Sequence, residues 1–127
     1  MKVELNADYD TAMARVTDAL KAEGFGVLTE IDVKATLKKK LDIDFRRYAI
    51  LGACNPPLAH QALTAVPEIG LLLPCNVTVE EISEGHTRVS LINPLTMMSF
   101  VNDPALTPIA EDAQARLERV VAALQEN

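Results

Sequence analysis

Tryptophan is absent from this chain of 127 residues, and its aromatic residues amount to three Phe and two Tyr. Sites that hold unpaired nucleic acid depend on several exposed rings for stacking, so this scarcity argues against such a partner. A surplus of positive charge is missing too. Twelve Lys and Arg face eighteen Asp and Glu, a net charge of −6 and a pI of about 4.8, where phosphate neutralisation needs clustered cations. Nucleic acid is not an expected partner on either ground.

Long apolar runs are lacking. The uncharged stretch Ile69–Thr78 falls far short of the ~20 apolar residues of a membrane-spanning helix, so no membrane is expected. The opening Met1-Lys2-Val3-Glu4-Leu5 puts charge where a secretory signal needs an apolar core, and a cytoplasmic protein is the expectation. No C-x-x-C pair occurs, which removes thioredoxin-type redox chemistry and structural zinc. Two cysteines in a reducing compartment also argue against a structural disulfide. There is no glycine-rich phosphate loop, no G-x-S-x-G and no H-E-x-x-H. The acidic pairs Asp42/Asp44 and Glu80/Glu81 stand alone and receive no catalytic role.

What is present reads as one globular domain over residues 1–127, with 49% hydrophobic and 24% charged residues. Lys2–Leu5 predicts a short strand. Asp8 or Asp10 can cap a helix over about Thr11–Glu23, which Gly24 ends. Phe25–Ile31 predicts a second strand. Asp32–Leu41 fits either a short amphipathic helix or a basic turn. Arg47–Ala53 is nearly all apolar and predicts a buried strand. Asn55-Pro56-Pro57 then opens a helix that runs to Val66, with Asn as cap and Pro at its first position. Leu71–Ile82 and His86–Ile92 flank Ser83-Glu84-Gly85 and predict a hairpin in which Val77 and Val79 pair with Val89 and Leu91. Asn93–Pro104 is a proline-interrupted loop or broken helix, and Ala105–Leu124 a closing helix. This order predicts an α+β fold, a largely antiparallel sheet with helices packed on one face.

The charge is uneven. Lys34, Lys38, Lys39, Lys40, Arg46 and Arg47 fall within fourteen residues and meet only Asp42 and Asp44. Such a run is read first as a solvated face or a protected sheet edge, and second as an anion site or a docking patch for an acidic partner.

The two cysteines are the most suggestive feature. Cys54 stands in Gly52-Ala53-Cys54-Asn55-Pro56-Pro57, between a strand and a helix, and Cys75 in Leu72-Leu73-Pro74-Cys75-Asn76, entering a strand. A thiol at a helix N-terminus feels the positive end of the helix dipole, which favours the thiolate of Cys54. Cys54 is thus a candidate nucleophile or soft-metal ligand. The plain alternative is that a free Cys packs as a small hydrophobe, the preferred reading for Cys75 between Leu73 and Val77. His60, six residues after Cys54, is a candidate base, although a rigid helix need not aim it at the thiol. Met97-Met98 could add thioether ligands for an ion such as Cu(I), or simply fill the core. The candidate ligand-binding set is Cys54, Asn55, Cys75, Asn76 and His60, with Cys54 and Cys75 as candidate metal ligands.

Three stretches together resemble the domain of unknown function 302 family. They are Gly24-Phe25-Gly26-Val27 with Glu30-Ile31-Asp32-Val33, Tyr48-Ala49-Ile50-Leu51-Gly52-Ala53-Cys54-Asn55-Pro56, and Gly70-Leu71-Leu72-Leu73-Pro74-Cys75-Asn76-Val77. The resemblance covers nearly the whole chain. It implies a single α+β domain similar to the TATA-binding-protein-like fold, in β-α-β4-α order, with a tendency to dimerise. The Pro56–Val66 helix would be an addition to that order. The resemblance implies no established catalysis, and a shared fold does not carry DNA binding with it.

Three functions follow as expectations: a small-ligand or soft-metal binding module around the two Cys-Asn elements, a thiol enzyme using Cys54, and an interaction module. A homodimer is expected as well. The hairpin's outer face carries Thr78 and Glu80 on one arm and Arg88 and Ser90 on the other, the Tyr48–Ala53 strand is apolar on both faces, and one helical layer covers only one of them. The alternative cover is Met97–Leu106 folding back.

Overall fold

The computed structural model describes residues 1–126. In chain order the elements are β1 (Lys2–Leu5), α1 (Tyr9–Ala22), β2 (Gly26–Asp32), α2 (Val33–Leu41), β3 (Tyr48–Cys54) and α3 (Pro56–Ala65). A 3-10 segment, Pro67–Leu72, leads into β4 (Cys75–Ser83) and β5 (His86–Leu91). Then come α4 (Pro94–Met98), a 3-10 turn at Pro104–Leu106, and α5 (Thr107–Gln125). The strands form one sheet in the order β1-β5-β4-β3-β2, every pairing antiparallel. The α+β class is therefore as the sequence implies. The β-α-β4-α frame carries three further helices: α3, which the sequence predicts, and α2 and α4, which it leaves open between helix and turn or loop.

Local chemistry sets the helix ends. Asp8, not Asp10, caps α1, accepting from the Thr11 amide at 2.8 Å. Asp10 instead meets Arg47 at 2.7 Å. At the other end Gly24 takes φ +84°, a left-handed conformation that a side chain would strain. The basic stretch resolves as a helix because the Asp32 carboxylate accepts from the Ala35 amide at 2.9 Å. No residue of α2 is buried. Four of the six cations in the stretch 34–47 have partners: Lys38 with Asp42 and Asp44, Lys34 with the Phe45 carbonyl, Arg46 with Glu80 and Arg47 with Asp10.

The helical stripes meet the sheet on one side. Ala12, Val16 and Leu20 of α1 and Leu117, Val120 and Leu124 of α5 pack on Ala49, Leu51, Val77, Val79, Val89 and Leu91. Val77 pairs with Leu91 and Val79 with Val89, the register that the alternation predicts. β4 starts at Cys75 rather than Leu71, because Pro67–Leu72 closes into a 3-10 turn.

The opposite face stays open. Tyr48, Ile50, Thr78 and Ser90 are half-buried there, and Glu80 receives both Arg46 and Arg88, the latter also meeting Glu4. Met97 and Phe100 reach that side only in a groove beside Asn76, and Met97–Leu106 does not form a cover for the whole face. That segment joins Leu58, Ala62, Ile69 and Ile109 in a second apolar cluster beside the main core. Among the described residues no helix is long and apolar enough to cross a membrane.

Candidate functional site

The second cluster encloses a pocket, and the order of the sheet explains why the two cysteines reach it. Ala53 lies opposite Cys75 in the β3–β4 ladder, and paired residues share a face, so the end of β3 and the start of β4 present adjacent side chains. Cys54 closes β3 and lines the same pocket. Pro74 stays close to β3 because position 52 is glycine. A Cβ there would stand 2.7 Å from Pro74 Cγ and collide with Thr29 Oγ1.

Asn55 turns the chain from strand to helix. Its side-chain oxygen accepts from the Leu58 amide at 3.3 Å, the capping role expected of it. Its Nδ2 reaches the Glu23 carbonyl at 3.5 Å, and Arg116 Nη1 donates to that same oxygen at 3.0 Å. The C-terminal end of α1, the start of α3 and α5 are thereby joined beside the pocket. Asn55 is 7% exposed, one of two buried polar residues among the described residues.

The cavity measures about 260 Å³. Its wall is carbon and sulfur apart from Asn55: Leu58, Ala59 and Ala62 of α3, Ile109 and Ala113 of α5, and Phe25, Pro74, Pro94 and Met98 from the joining segments. Leu28 and Leu63, both substantially exposed, belong to the same wall.

Both cysteines are free thiols. Cys75 is buried, and burial first, then the neighbouring Cys54, push its pKa up to about 11. Cys75 is therefore a neutral thiol at pH 7, while Cys54 is half-exposed. Two members of the sequence-derived set stand elsewhere. Asn76 pairs with Gly52, one residue out of phase with Cys75, so strand alternation turns it to the opposite face. There it lines a separate groove with Leu71, Ile92 and Phe100. His60 is exposed and lines no part of the cysteine pocket. Met97 lines that second groove and Met98 the cysteine pocket, so the pair is split. Among the described residues no group of three or more His, Cys, Asp and Glu stands together.

The sequence reading missed the hydrophobic walls. Ile109 and Ala113 sit on a stripe that periodicity marks as buried, but a period names no facing partner. Phe25 carried a strand signal and gave no hint of a pocket.

The comparisons with known proteins agree with this architecture. A family model described as Domain of unknown function DUF302 matches residues 1–124. A solved structure, an uncharacterized conserved DUF302 protein from Bacillus stearothermophilus, superposes with a TM-score of 0.88 at 32% identity. The match covers 98% of this chain and 96% of that one. No curated protein matches the chain.

Proposed function

Since the chain belongs to the DUF302 family, whose description names no chemistry, we propose its function from the pocket: it is a binding module for one small apolar molecule carrying a hydrogen-bond acceptor. The observation that carries this reading is an apolar cavity of about 260 Å³ with a single buried polar group, the Asn55 amide, in its wall. A 150 Å³ apolar cavity accommodates benzene, so this one suits a molecule of roughly ten non-hydrogen atoms.

Asn55 sets the polarity of the ligand. Its oxygen is committed to the Leu58 amide, so what it can offer a guest is an N–H. A carbonyl or ether oxygen fits that donor. The thiol-enzyme reading has less support, because His60 stands outside the pocket and the wall holds no other base beside Cys54.

Ligand-observed NMR with acetophenone and ethylbenzene tests the reading. Both are expected to bind, acetophenone about fivefold more tightly through one net hydrogen bond of ~1 kcal/mol. Ala59→Phe, which fills the cavity from α3, is expected to abolish both while the circular dichroism spectrum is retained. Failure of both compounds to bind the native protein overturns the proposal.

A further inference from the structure

We propose that the same pocket is also a site for one Cu(I) ion, held by the sulfurs of Cys54, Cys75 and Met98. Three sulfurs line one cavity, and the rest of its wall is carbon except for the Asn55 amide. Cys75 pairs with Ala53 across the ladder, Cys54 follows Ala53 at the end of β3, and both thiols line the cavity. Met98 is buried, comes from α4 and lines the same cavity.

The donor set selects the ion. Zinc in protein sites takes four ligands from Cys, His and carboxylates, and this wall supplies two thiols with no His, Asp or Glu. Soft thiolate and thioether donors select Cu(I), while Cu(II) prefers nitrogen and oxygen in tetragonal arrangement. On binding, each Cys S–H bond is replaced by a Cu–S bond and the two protons leave to solvent. Copper stays Cu(I) throughout, so no oxidant or reductant is consumed. The complex carries one negative charge in a carbon-walled site. The N-terminus of the ten-residue α3 and the Asn55 N–H, both at the pocket, offset part of that charge.

The experiment is an anaerobic titration of the whole chain with Cu(I) against the chelator bathocuproine disulfonate. One Cu(I) per chain is expected. Cys54→Ser and Cys75→Ser should each weaken binding at least ~100-fold, and Met98→Leu about tenfold with the 1:1 ratio kept. Lowering the pH by one unit should weaken binding about 100-fold, a factor of ten for each proton released. X-ray absorption on the native protein keeps the test decisive even if Cys75→Ser does not fold, since an all-sulfur first shell of three is required. Failure to compete with the chelator, retention of affinity in Cys75→Ser, or nitrogen and oxygen in that shell overturns the site. Acetophenone binding by the native protein keeps the two readings apart: copper failing to bind while the ketone binds removes this inference alone, and the reverse removes the organic-ligand reading alone.

Discussion

Cys75 lies directly opposite Ala53 across the β3–β4 ladder, and that single pairing decides the chemistry of the pocket. It brings the first residue of β4 beside the end of β3, although Ala53 stands twenty-two positions earlier in the chain. A register shift of one residue would have placed Asn76 there and left Cys75 on the open face.

The two thiols should differ sharply in reactivity. Cys54 is half-exposed, whereas Cys75 is 8% exposed with its pKa pushed up to about 11. Iodoacetamide at pH 8 is expected to label the native protein once, at Cys54, and Cys54→Ser should leave it unlabelled until denaturant is added. Mass spectrometry of the peptides reads the result, and prompt labelling of Cys75 would contradict the burial.

Alkaline pH should expose the same difference as stability. The folded state holds the Cys75 proton more tightly than the unfolded chain, so the associated stability is fully present below about pH 9. It is lost as pH rises through about 11, a fall of roughly 2–3 kcal/mol. Urea midpoints measured from pH 8 to pH 11 should decline in the native protein and decline less in Cys75→Ala.

Asn55→Ala removes the cap of α3, and a loss of about 1 kcal/mol is expected, more if the Leu58 amide is left buried without a partner. Asn55→Ser should recover most of it. Chemical denaturation of both variants checks the order, and equal losses would mean that the amide acts mainly through the Glu23 carbonyl.

Gly52→Ala should destabilise the protein by about 1–3 kcal/mol through overpacking, because the added carbon meets Thr29 Oγ1 and Pro74 Cγ. Pairing it with Thr29→Ala should recover part of the loss. A non-additive double-mutant cycle is the readout, since the two residues touch.

The open sheet face is expected to be covered by a second copy. Tyr48, Ile50 and Thr78 stand half-buried there without a helix over them, and Met97–Leu106 packs elsewhere. Light scattering in the micromolar range should give about twice the 13.8 kDa chain mass. Ile50→Arg should return it to a single chain, and a mass near 13.8 kDa for the native protein would exclude the dimer.

Much of the fold was legible because its signals are local. Alternation in Val77–Val79 and Val89–Leu91 gave the hairpin register. The caps at Asp8 and Asn55 marked two helix starts, and Gly24 marked a helix end. The basic stretch stayed ambiguous because α2 buries nothing, so its sequence carries no apolar stripe strong enough to separate helix from turn.

The sequence by itself determined most of the strands and helices, the α+β class and the presence of two Cys-Asn elements, since periodicity, capping and residue chemistry act within a few positions of the chain. Tertiary structure alone decided which of those residues meet. It set Cys54, Asn55, Cys75 and Met98 around one cavity, turned Asn76 to the far face and left His60 in solvent. The physical reason is that strand register and helix docking are fixed by burial of the whole core, involving residues as distant as Ala53, Cys75 and Ala113, and no local pattern encodes such a meeting.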